Sequence, residues 1–277
     1  MDNIQTNEQR HQKNLERLRD FSLLDDTFAR TFFRQHPDLA EFVLRIMTGI
    51  DDLSIDPSDY ETQYDAKRIA GSRSVIMDIY GGDTTGRKYN LEMENWDADP
   101  ERGEYHVATM CMENLEPQQD FKELPEIYVI FVCGRDAVGN GRAINHFSYR
   151  NDDIDVKDRK KQHDSMRGKT HILYVNCQYD DKDTDLGKLI HDFRCRKASE
   201  MYYSNLAERT RYLKENPKGV KEMCKIMEDA AREERQEERI IIAQNLLNLG
   251  LITHEQIAKA TSLTLEEVKQ LVGQAAS

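Results

Sequence analysis

The run Ile127-Tyr128-Val129-Ile130-Phe131-Val132 is apolar at every position, and Ile172-Leu173-Tyr174-Val175 repeats the pattern further along. Both runs are strand-length, and a strand with no polar face has to be covered from both sides. A sheet with helices over it is therefore expected, and the fold class is α/β. The sequence supplies the helices. Leu39, Phe42, Val43, Ile46 and Met47 fall on one face of a helix that Pro37 can start and Gly49 can stop. Residues 10 to 34 read as helix ending in the cluster Phe28, Phe32 and Phe33. Residues 102 to 116, with Tyr105, Ala108, Met112 and Leu115 on one side, and 185 to 215, with Leu186, Leu189, Ile190 and Phe193, complete the set. Asp, Ser and Pro across 51 to 60 predict a loop.

A chain of 277 residues, 38% hydrophobic and 32% charged, accommodates one catalytic-size domain and a small module, here 1–219 and 220–277. No apolar run approaches the roughly 20 residues of a membrane helix, and the first residues lack the apolar stretch of a secretion signal. A soluble cytoplasmic chain with no membrane partner is expected. The five cysteines are scattered and never form a C-x-x-C pair, so they read as reduced thiols rather than a disulfide framework or zinc knuckle. His106, His146, His163, His171 and His191 show no ligand spacing and read as surface or core residues.

A net charge of −12 opposes non-specific attraction to nucleic acid, so any phosphate partner must be held locally by a metal ion or a basic patch. Residues 150 to 170, with Lys157, Arg159, Lys160, Lys161, Arg167 and Lys169, read either as a solvated loop or as a phosphate-contacting edge. Arg194, Arg196, Lys197, Arg209 and Arg211 form a second basic set. From 220 to about 250 a highly charged helix reads as a solvated arm or part of a self-association surface. Thr253-His254-Glu255-Gln256 and Thr264-Leu265-Glu266-Glu267 then match the capping-box spacing of two short helices. The pair resembles a helix-turn-helix, but its second helix offers Glu266, Glu267 and only Lys269, which favours a structural or oligomerising role over DNA reading.

The chemistry concentrates in a hairpin. Ser74–Tyr80 and Lys88–Glu94 are strand-like runs joined by the turn-rich Gly81-Gly82-Asp83-Thr84-Thr85-Gly86-Arg87. Asp78 stands inside an otherwise apolar strand, where an unpaired carboxylate is costly. Glu92 and Glu94, two apart, share one face of the next strand, while Leu91 and Met93 take the other. Cross-strand positions lie roughly 5 to 8 Å apart, within reach of one ion. Like charges at that range repel unless a cation neutralises them, and Mg²⁺, which takes one or two carboxylates plus waters and phosphate, suits Asp78 and Glu92. Solvated acids on a half-exposed strand are the alternative reading.

The segment TQYDAKRIAGSRSVIMDIYGGDTTGRKYNLEMEN, with NLEPQQDFKELPEIYVIFV, HILYVN, LGKLIHDF, MYYSNLAERTRYLKE and KGVKEMCKIME after it, resembles the PD-(D/E)XK nuclease family transposases, related to the recombination-promoting nucleases. The likeness runs from about residue 22 to 230. It implies a restriction-endonuclease-like core, a small central mixed sheet flanked by helices in αβββαβ order, with a helical C-terminal extension. It also implies a Mg²⁺- or Mn²⁺-dependent endonuclease acting on DNA, most simply double-stranded DNA. The family's strand acid falls on Asp78, the acid of its E-x-K or E-x-Q on Glu92, and its N-terminal helix acid on Asp25, with Asp26 beside it an equal candidate. Glu94 stands where the superfamily carries Lys and this branch commonly Gln. Either Glu94 serves as base or further ligand, or the chain is an inactive scaffold that binds DNA or protein.

Overall fold

The structure is a computed structural model and describes residues 7–66, 75–94, 99–149 and 168–275. Asn7–Asp20 (α1), Asp26–Phe33 (α2) and Pro37–Thr48 (α3) lead into strands Ile55–Ala66 (β1), Val75–Asp83 (β2) and Lys88–Glu94 (β3). Pro100–Glu113 (α4) crosses to Ile127–Cys133 (β4), followed by Ile144–Ser148 (β5) and Thr170–Asn176 (β6). Asp185–Arg194 (α5), Ser204–Glu215 (α6), Pro217–Leu249 (α7), His254–Thr261 (α8) and Leu265–Ala275 (α9) complete the chain. The six strands form one open mixed sheet in the order β1-β2-β3-β4-β6-β5. β1, β2 and β3 are antiparallel, β3–β4 and β4–β6 are parallel, and β5 returns antiparallel to β6. The fold is α/β, as the two-sided apolar runs require. Every residue of β4 is buried, because it lies between β3 and β6 and is covered on both faces.

Helix ends follow local chemistry. Pro37 opens α3, and Gly49 closes it in the left-handed conformation at φ 69°. The expected helix over 10 to 34 is two helices, because the Asp25 carboxylate accepts hydrogen bonds from the Ser22 backbone N–H (2.6 Å) and hydroxyl (3.2 Å) and folds the chain into a turn. The helix expected over 185 to 215 is likewise divided. The Asp192 carboxylate accepts from the N–H groups of Tyr202 and Tyr203, both at 2.8 Å, and draws that segment back against α5.

Two strands depart from expectation. The loop predicted over 51 to 60 is largely β1: its Pro57 is tolerated because β1 is an edge strand, and a register shift between Ile55 and Tyr60 absorbs the irregularity. β5 is a short, mostly exposed edge with no apolar run to announce it.

The chain divides into two compact units, Met1–Met223 and Cys224–Ser277, with the division inside α7. The first holds the sheet. The second is built around Ala243, Ile257, Leu263 and Val268, and both expected capping interactions form at Thr253 and Thr264. Among the described residues no helix is long and apolar enough to cross a membrane. Four of the five cysteines are buried and all five are free thiols.

Candidate active site

The site is set by where the hairpin ladder stops. Regular pairing of β2 with β3 runs from Gly82↔Lys88 to Ile79↔Leu91. At the next step two carboxylates replace the ladder. The Asp78 N–H donates to Glu92 Oε1 at 3.1 Å, and the Met93 N–H donates to Asp78 Oδ2 at 3.1 Å. Each acid thereby satisfies a backbone donor of the opposite strand, so Asp78 and Glu92 face each other at the point where the strands part. On the other side of β2, Gln63 stands opposite Asp78 between the pairs Thr62↔Ile79 and Tyr64↔Met77, with φ 62°. A left-handed glutamine is an uncommon conformation, and such strain collects at functional positions.

Glu92 is completely buried, and Asp78 is partly exposed. Burial raises the Asp78 carboxyl to about 8, helped by the charges of Glu92 and Asp26 and opposed by the Met93 N–H and Arg30. Burial also raises Glu92, against the Asp78 N–H, Arg102 and Asn90. The physical cause is shared: two acids in a dry place, each made less acidic by desolvation.

Period-two alternation puts Asn90, Glu92 and Glu94 on one face of β3, and α4 brings Arg102 and His106 to the same place. Arg102 Nη2 lies 3.0 Å from Glu92 Oε2, and its Nη1 is paired with Glu94. The guanidinium sits 5.7 Å from the centre of the Phe131 ring. His106 Nδ1 lies 2.9 Å from Asn90 Nδ2 and 3.8 Å from Glu92 Oε1. Burial and the charge of Arg102 depress the imidazole to about 4, so it is neutral at pH 7. Beside it a cleft of about 480 Å³ is lined by Val75, Ile76, Asp99, Glu101, Arg102, Tyr105 and His106. Asp78, Glu92 and Glu94 are not among the residues that line this cleft.

The helix acid that acts on the pair is Asp26. Its charge raises both Asp78 and Glu92, it is paired with Arg30, and its Oδ1 is buried with no hydrogen-bond partner. Asp25 is held instead by Ser22 and lines a different cleft with Arg17, Asp20, Arg194 and Arg196. Of the expected residues, Asp78 and Glu92 meet directly, Glu94 is linked to Glu92 through Arg102, and the charge of Asp26 rather than Asp25 acts on the pair. Asp26 is paired with Arg30, while Glu92 and Glu94 share Arg102.

No family model, curated protein or solved structure matches this chain. The site thus stands on its own geometry.

Arg102, His106, Asn90 and Arg30 were not foreseen. Asn90 was readable, since it has the same strand parity as Glu92. Arg102 and His106 share one helix face at i, i+4, but nothing local says that this face meets β3. Two of the described basic residues are engaged by backbone carbonyls. Arg209 donates to the carbonyls of Thr31 and Phe32, and Lys169 to those of Lys122 and Leu124. Lys67, Arg68, Ser74, His163 and the basic residues between 150 and 167 lie outside the described residues.

Proposed function

We propose that the chain is a divalent-metal-dependent endonuclease of the PD-(D/E)XK transposase type, with a restriction-endonuclease-like core, acting on double-stranded DNA. The observation that carries this reading is the meeting of Asp78 and Glu92 where β2 and β3 part, each carboxylate accepting a backbone N–H of the opposite strand, which sets two oxygen ligands for a divalent ion side by side. The donor set fits: all-oxygen ligands of a hard cation, with a buried unpartnered oxygen on Asp26 nearby. The order α3-β1-β2-β3-α4-β4 agrees with the αβββαβ arrangement such a core has.

Asp78 and Glu92 would hold the ion. When bound, it supplies polarisation of the scissile phosphate and a lowered pKa for water. The chain's own residues do the rest. Glu94, two residues from Glu92 on the same face of β3, would accept a proton from the attacking water. Arg102, already bridging Glu92 and Glu94, supplies the positive charge that the superfamily's lysine would give, and offsets negative charge developing on the phosphate. Asn90, held by His106, hydrogen-bonds Glu92 and fixes its orientation. The second unit exposes Ile241, Ile242, Leu249 and Leu251, and through these helices the chain would pair with a second copy.

A second reading, an inactive scaffold that binds DNA or a protein partner, is favoured by one observation. Arg102 occupies the carboxylates that a metal would need. Plasmid nicking with Mg²⁺ or Mn²⁺ decides between them. The nuclease reading expects nicking by the wild type and loss of at least 100-fold, on the order of a removed metal or general-base group, in Asp78→Ala and Glu92→Ala. Folded wild type that neither nicks nor binds Mg²⁺ by calorimetry supports the scaffold.

A further inference from the structure

A second constellation of ligand-type side chains lies at the other end of the first unit's helices. At the C-terminal end of α5, His191 Nδ1 is 3.2 Å from Asp192 Oδ1 and 3.4 Å from Cys195 Sγ, and the three atoms all lie within 4.8 Å of one another. We propose that His191, Asp192 and Cys195 form a site for a borderline-soft divalent ion of the zinc class, separate from the acid pair and independent of the nuclease reading.

The argument is geometric. Zinc–nitrogen and zinc–oxygen bonds of about 2.0 Å and zinc–sulfur bonds of about 2.3 Å, set at tetrahedral angles, separate N from O by about 3.3 Å and N from S by about 3.5 Å. The observed separations match those edges. The spacing arises from the helix ending where it does. His191 and Cys195 are four apart and share a face, and Asp192 is swung toward them by the two backbone N–H groups it accepts. Those same N–H groups, from Tyr202 and Tyr203, would orient the carboxylate as outer-shell donors orient a metal ligand. The His191 ring is packed edge-on against Tyr202, at 4.7 Å between ring centres, which restricts its rotation.

His191 and Cys195 line a cleft of about 870 Å³ with Ala198, Ser199, Glu200 and Lys214, so two of the three ligands are reached from solvent. Thiolate and imidazole ligands select zinc or cobalt over magnesium, while the all-oxygen pair Asp78 and Glu92 has the reverse preference. Two metals would thus be sorted within one unit by ligand chemistry alone. The sequence reading missed this group, because H-D-x-x-C is not a recognised ligand spacing and becomes one only through the break after Arg194.

Cobalt(II) titration of the full-length protein tests the proposal, since a thiolate ligand gives Co²⁺ a near-ultraviolet charge-transfer band and tetrahedral coordination gives intense visible bands. One equivalent of Co²⁺ is expected to produce both in the wild type and in Asp78→Asn, and Zn²⁺ to bleach them. Cys195→Ser should lose the charge-transfer band. His191→Ala, a change at a partly exposed side chain, should weaken Co²⁺ binding on the order of a hundredfold, the upper range for loss of even a supporting contact. Far-ultraviolet circular dichroism confirms that each variant is folded. Absence of the band in folded wild type overturns the proposal, as does a band that survives in Cys195→Ser or an unchanged affinity in His191→Ala.

Discussion

At the scale of single residues, Asp78 governs how stability should depend on pH. Its carboxyl is raised from 3.8 to about 8 by burial, Glu92 and Asp26, so the folded chain holds a proton there that the unfolded chain has already released. Stability from this group is complete below pH 3.8 and is lost as pH rises toward 8. His106, depressed to about 4, acts oppositely below pH 6.5, since unfolding then takes up a proton. The difference between wild type and Asp78→Asn isolates the first effect. We expect the wild-type Tm to fall relative to that variant between pH 5 and 8, and millimolar Mg²⁺ to remove the fall. Thermal melts across that range check it, and parallel curves for the two proteins would show that Asp78 ionises as an exposed acid does. Arg102 gives a second test. Arg102→Ala leaves Glu92 buried without its cation and should lower nicking on the order of 100-fold, the range of one electrostatic transition-state contact, while Mg²⁺ binding by calorimetry tightens. Weaker Mg²⁺ binding in Arg102→Ala would show that the guanidinium organises the acids rather than competing for them.

At the scale of elements, the hairpin that presents Asp78 to Glu92 is pinned at its far end by Asp83. This fully buried side chain accepts from the Thr85 N–H and hydroxyl, the Arg87 N–H and Nε, and the Tyr89 hydroxyl. Asp83→Ala leaves Arg87 Nε and the Tyr89 hydroxyl without their acceptor, with Arg87 keeping only Asp52, and should cost about 3 kcal/mol or more, a Tm loss of roughly 6 °C or more. Because the same loop fixes register, activity should fall at temperatures where the variant is still folded. Retention of full activity would separate loop from site. The two strands were legible through their alternation and turn residues, and so was the meeting of Asp78 with Glu92. What could not be read was non-local. β1 is hidden by Asp56, Pro57 and Ser58, which signal a turn unless one knows that the segment lies at a sheet edge. Asp25 and Asp26 are equal candidates in the sequence, and the choice between them rests on Ser22 holding Asp25, a turn that α-helical periodicity does not reveal. Arg102 reaches Glu92 only because the β3–α4–β4 crossover folds α4 back on the sheet.

At the scale of the whole molecule, every acid of the site belongs to Met1–Met223, while the exposed apolar residues Ile241, Ile242, Leu249 and Leu251 belong to Cys224–Ser277. On the proposed reading, hydrolysis and self-association belong to different parts of one chain, and they should separate on truncation. A chain ending at Ala230 keeps the buried Met223, Cys224 and Met227 of α7 and loses the apolar helices. Its plasmid-nicking rate per chain should equal that of the full-length protein at saturating Mg²⁺. Its mass by light scattering should be that of a monomer, while the full-length protein runs as a dimer. The charge of −12 sharpens the expectation, because two acidic chains associate only where apolar contact outweighs their repulsion. Added salt should then strengthen pairing of the intact chain, the opposite of its effect on DNA binding, where counterion release makes salt weaken the complex. A full-length protein that is monomeric at all salt concentrations would remove self-association from the C-terminal helices, and a truncated chain that fails to nick while remaining folded would place part of the DNA contact there instead.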